Sequence, residues 1–101
     1  LAQTSQAITA DASSQVANVT TAVTEINATS ATGAISLADG AEGQIKTFIN
    51  VSTSGTNNVV ITPTNLRGGT TITLNAEGET VTCLFKNAKW NVIAGNGYAI
   101  A

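Results

Sequence analysis

The stretch GAISLADGAEGQIKTFINVSTSGTNNVVITPTNLRGGTTITLNAEGETVTCLFKNAKWNVIAGNGYAIA, residues 33–101, decides the fold. Short runs rich in Val, Ile, Thr and Phe alternate with clusters of Gly, Asn, Asp and Ser, which is the signature of strands separated by turns. Seven strands are expected, over 34–37, 44–52, 58–62, 70–75, 79–86, 89–94 and 98–100. Pro63 ends the third, because a residue without an N–H suits a strand end or edge. This spacing predicts an all-β module, a sandwich, barrel or solenoid-like stack.

The alternation carries a second message. Val81, Cys83 and Phe85 share one face of their strand while Leu84 sits opposite. Phe48 opposes Ile45, Ile49 and Val51, Val60 opposes Val59 and Ile61, and Ile93 opposes Trp90 and Val92. Strands that are apolar on both faces belong to sheets covered on both sides. A 69-residue module has little chain left to supply the second cover, and its core leaves a small margin over chain entropy. With a single cysteine, Cys83, no intrachain disulfide can add to it. Oligomerisation is the expected remedy, with Phe48, Leu84 and Ile93 on the interface.

Residues 1–32 differ in character. They hold no Gly, Pro or aromatic residue and only two charges, Asp11 and Glu25. Leu1, Ile8, Val16, Val19, Val23 and Ile26 are the large apolar side chains. Val16, Val19, Val23 and Ile26 are spaced as a heptad seam, which predicts a helical stalk and, with β-branched side chains along it, a homotrimer. Seven Thr and four Ser argue against a helix, since β-branched side chains lose rotamer freedom there. The competing expectation is an extended arm lying on another protein. The chain is thus divided into an arm, 1–32, and a β-rich knob, 33–101.

Charge and residue chemistry exclude several function classes. Charged residues make up 10% of the chain, and the four cations, Lys46, Arg67, Lys86 and Lys89, are scattered. Nucleic-acid binding needs clustered positive charge to displace counterions, so no nucleic acid is expected. No apolar run approaches the ~20 residues of a membrane-spanning helix, so no membrane is expected either. The chain has no His, which removes imidazole acid–base chemistry and His metal ligands. Cys83, mid-strand between apolar neighbours and without a basic residue beside it, reads as a core thiol. Asp39 and Glu42 in one turn, and Glu77 and Glu79 around another, lack the arrangement of a calcium loop or of a glycosidase pair. No cofactor, no metal and no catalytic residue is expected.

Three segments carry a resemblance: LADGAEGQIK (Leu37–Lys46), ITPTNLRGGTTITL (Ile61–Leu74) and GETVTCLFKNAKWNVIAGNG (Gly78–Gly97). Together they are similar to a small β module of structural proteins of tailed bacteriophages, especially phages of cyanobacteria and marine bacteria. The resemblance covers about two-thirds of the chain and brings no catalytic residues. It implies a non-enzymatic component of the virion exterior, a capsid decoration or fibre protein, with residues 1–32 docking on capsid or fibre proteins. The alternative it leaves open is a tail-fibre tip that binds a host receptor or surface glycan through Trp90, Tyr98 or turn residues, although Trp90, sharing a face with Val92, itself reads as core or interface packing.

Overall fold

The computed structural model describes residues 2–54 and 56–101. Leu1, at the head of the expected seam, and Gly55, inside the expected turn 53–57, lie outside the described residues. Among the described residues ten strands form: β1 (Ser5–Ala10), β2 (Gln15–Ala17), β3 (Val23–Ala28), β4 (Thr32–Leu37), β5 (Ile45–Asn50), β6 (Asn58–Pro63), β7 (Ile72–Leu74), β8 (Thr80–Lys86), β9 (Lys89–Asn96) and β10 (Ala99–Ile100). They make two five-stranded sheets, the first in the order β1-β3-β5-β8-β9 and the second in the order β10-β7-β6-β4-β2.

Two winding modes share the sandwich. From β1 to β6 the chain shuttles between the sheets, so β1, β3 and β5 stack in parallel in one and β2, β4 and β6 in the other. A parallel pair needs a crossover, and here the opposite sheet provides it in place of a helix. Successive turns of this coil run from Ser5 to Val23 to Thr47. After Pro63 the winding reverses: β7 lies antiparallel to β6, β8 to β5, β9 to β8 and β10 to β7.

One core serves both halves. Ile26, Ile35, Leu37, Phe48, Val59, Ile61, Ile72, Leu74, Val81, Cys83 and Trp90 are all buried, along with Ala10, Ala17 and Ala28. Trp90 meets Phe85 edge-on, ring centroids 5.2 Å apart, and donates from Nε1 to the Ala38 carbonyl at 2.9 Å. Side chains are small where β1, β3 and β4 leave or enter their sheets. A Cβ on Gly33 would lie 2.8 Å from that of Ala28 and 3.2 Å from that of Ala10, so the sheets close together there.

These observations correct the expectation for residues 1–32. No helix forms among the described residues, and there is no stalk. The segment is extended, but it lies on the chain's own sheets as β1, β2, β3 and the start of β4, and it contributes Ala10, Ala17, Ile26 and Ala28 to the common core. The β-branched side chains that weaken a helix suit a pleated strand. Ten strands replace the expected seven because three come from this segment. In the remainder the seven expected strands all form, within a few residues of their expected ends.

Candidate interaction surface

The candidate site is the outer side of the first sheet. Alternation fixes what points there. On β5, Lys46, Phe48 and Asn50 are buried, so Ile45, Thr47 and Ile49 face outward. On β8, Val81, Cys83 and Phe85 point in, leaving Thr80, Thr82 and Leu84 outside. β3 presents Val23, Glu25 and Asn27. Pairing aligns these side chains in rows across the sheet. Ile45 stands beside Leu84 and Asn91, Val23 beside Thr47, Thr82 and Ala94, and Glu25 beside Ile49 and Thr80. The hydroxyls of Thr47 and Thr82 meet at 3.0 Å and so satisfy one another. The pairing of β8 with β9 shifts at Thr82/Cys83, between partners Ala94 and Val92, which makes Ile93 the extra, bulged residue. Ile45 and Ile93 are 54% and 53% exposed.

The outer side of the second sheet is uncharged, since none of its five strands contains Asp, Glu, Lys or Arg. It shows Val16, Ala34, Ser36, Val60, Thr62, Thr73 and Ala99, with Val16 66% exposed at the β2 edge.

The interface residues expected from sequence are therefore distributed over three places. Val23, Leu84 and Ile93 belong to the strands of the first sheet and are open to the outside. Val16 is exposed on the second sheet, and Val19, in the turn after β2, is partly buried against the core. Ile26 and Phe48 are 0% exposed and belong to the chain's own core, unavailable to a partner. The inversion at β5 has a physical cause. Lys46 shares a face with Phe48, and a lysine in an alternating strand reads as the solvent side. Here its ammonium is fully buried, donating to the Thr21 carbonyl (3.0 Å), Thr21 Oγ1 (3.1 Å) and Asn18 Oδ1 (3.2 Å). Of the two apolar faces of β5, the one holding Phe48 is expected from sequence at an interface; it is the opposite face, with Ile45 and Ile49, that points outward.

Three of the four turn carboxylates, Glu42, Asp39 and Glu79, have structural duties. Glu42 accepts from the backbone N–H groups of Asn87 (3.0 Å) and Ala88 (3.2 Å), and Lys86 lies 3.7 Å away. Those two N–H groups, with the smaller pull of Lys86, hold its carboxyl below the usual range. Asp39 accepts from the Asn65 side chain, and Glu79 from the Asn75 N–H. Among the described residues no cluster of three or more acidic or Cys side chains could hold a metal ion. Burial pushes the Cys83 thiol up to about 12, which keeps it protonated and inert. Trp90 is wholly buried, so it offers no stacking platform; Tyr98 is 36% exposed. No protein-family model and no curated protein matches this chain.

Proposed function

We propose that the chain is a non-enzymatic structural module of a bacteriophage virion exterior, a decoration or fibre component that works by assembling into a homotrimer through the outer side of its first sheet. The observation that carries this reading is the row-wise placement of Val23, Ile45, Ile49 and Leu84 on that side, with the bulged Ile93 exposed at its β9 edge and Glu25 the one charged residue among its central rows. Interface centres are depleted of charge relative to the rest of a protein surface, and this face has that composition. The low charge of the whole chain acts in the same direction by weakening repulsion between copies. The phage assignment rests on the three segments quoted above.

Light scattering on the purified chain tests the assembly. The expected mass at micromolar concentration is three times that of one chain, and Leu84→Glu with Ile45→Glu is expected to return it to one. A wild-type chain that is folded and monomeric sinks the reading. Cryo-electron microscopy of the particle then tests location, with copies on the head or along a fibre expected. The alternative of a glycan-binding tip has Trp90 in the core and rests on Tyr98 and turn residues, and no specific observation favours it.

A further inference from the structure

Lys46 is a buried titratable group that the assembly does not use. It occupies an inward position of β5 with no exposed surface, and among the described residues no carboxylate lies within ion-pair distance of it. Its neighbours are the Asn18–Thr21 turn and the ring of Phe48, 5.7 Å from Nζ to the centroid. The turn is unusual in what it converges on. Asn18 Oδ1 accepts from Thr21 Oγ1 (2.8 Å), the Thr21 N–H (3.1 Å), the Thr20 N–H (3.3 Å) and Lys46 Nζ (3.2 Å). Two backbone N–H groups and a hydroxyl fixed on one amide oxygen form a site that stabilises developing negative charge, as the donors of an oxyanion hole do. The amine beside it is a nucleophile once deprotonated.

We propose that Lys46 and Asn18 form an intramolecular isopeptide bond. The Lys46 Nζ lone pair attacks Asn18 Cγ, and the carbonyl π pair moves onto Oδ1, where the donors from Thr20 and Thr21 hold it. Collapse of the tetrahedral species breaks the Cγ–Nδ2 bond and releases ammonia, which carries off one of the two protons of the attacking neutral amine. The Thr21 hydroxyl touches both Nζ and Oδ1, so it takes a proton from Nζ as it gives its own to Oδ1; as the carbonyl re-forms, Oδ1 gives up that proton and the leaving nitrogen takes one from the water it faces. The products are a secondary amide and one ammonia, so no oxidant or reductant enters. Asn18 Nδ2 makes no hydrogen bond among the described residues and is not a buried unpartnered atom, so the leaving group reaches water. Burial supports the step from the other side. It brings the Lys46 ammonium down from 10.5 to about 8, which puts free amine at Asn18 in mildly alkaline solution. The reaction also exchanges a buried ammonium for a neutral amide. The bond would tie the β2–β3 turn to β5, within the parallel-stranded half of the sandwich. It does not depend on the assembly proposed above.

Intact-mass spectrometry of the full chain, incubated at pH 9 and then unfolded and cut with trypsin, tests the bond. The expected species is lighter than the sequence by one ammonia. Residues 1–67 stay in a single peptide, because an acylated Lys46 is no longer cleaved, and fragmentation joins Asn18 to Lys46. Lys46→Arg and Asn18→Ala are each expected to keep their sequence mass. A folded wild-type chain that keeps its full mass and is cut after Lys46 overturns the proposal. So does ammonia loss with normal cleavage after Lys46, since that places the loss elsewhere, for example at Asn96-Gly97.

Discussion

Lys46 shows how a single buried charge is made tolerable. An ammonium with no carboxylate beside it is costly to bury, and the Asn18–Thr21 turn offsets that cost with three acceptors. The residual penalty is readable in pH. The unreacted amine titrates near 8 in the folded chain and near 10.5 when unfolded. Below pH 8 both states are protonated and stability is flat with respect to this group. Between about 8 and 10.5 the unfolded chain holds more protons, so stability rises with pH, by at most ~3 kcal/mol for a shift of this size. Urea melts at pH 7.5, 9 and 10 on chain of unreduced mass are expected to show this rise, and Lys46→Met is expected to abolish it. Phe48 tests the corrected face of β5. If it lies in the core, Phe48→Ala costs about 3–5 kcal/mol, whereas loss of an exposed Phe costs a few tenths; chemical denaturation separates the two.

At the scale of elements, the β8–β9 hairpin and the Gly33 corner are the most constrained points. Asn87 and Ala88 both have positive φ, 55° and 63°, in a two-residue connection of the type I′ kind. Asn tolerates that conformation, but for Ala it costs about 1–2 kcal/mol. Glycine removes the strain and loses ~0.5–1 kcal/mol of chain entropy, so the strain term prevails. Ala88→Gly is expected to raise stability by about 0.5–1 kcal/mol, seen as a thermal midpoint several degrees higher. At Gly33 the sign reverses. Val there overlaps Ala28 and Ala10 and is expected to cost ~1–3 kcal/mol. The hairpin was legible, since Asn87-Ala88 sits between two apolar runs. The parallel coil was not. Its turns are unequal, eighteen residues from Ser5 to Val23 and twenty-four from Val23 to Thr47, so no fixed period marks it. A faint signal exists in ITADA, INATS and INVST at Ile8, Ile26 and Ile49. The third copy is slipped by one, with Ile26 opposite Asn50 rather than Ile49. A one-residue slip turns a side chain to the other face, so Ile49 points outward. Asn50, turned inward, donates to the Leu74 carbonyl and accepts from the Ser52 N–H to close the corner.

For the molecule as a whole, the arm-and-knob division makes a prediction that differs sharply from the fold. A detachable arm can be removed without harm to the knob. In the sandwich, a chain starting at residue 33 lacks β1, β2 and β3, leaves one edge of β5 and of β4 unpaired, and uncovers Ile35 and Phe48. Circular dichroism and denaturant titration are expected to find that shortened chain unfolded or aggregated. The fold also redraws the proposed interface, because two of the seven residues expected there, Ile26 and Phe48, are enclosed and Ile45 and Ile49 take their place on the outer side.

The sequence by itself determined the all-β class, the positions of the turns after residue 33, the core face of β8 and the inert character of Cys83. Each follows from short-range alternation and turn chemistry, which act within a few residues. Tertiary structure decided that residues 5–28 are strands of the same sandwich, that Phe48 and Lys46 point inward, and that Asn18 meets Lys46. Those outcomes depend on contacts between segments eighteen or more residues apart. An apolar spacing of three and four is compatible with a helix until another strand offers its edge, and a lysine reads as exposed until a distant turn supplies its acceptors.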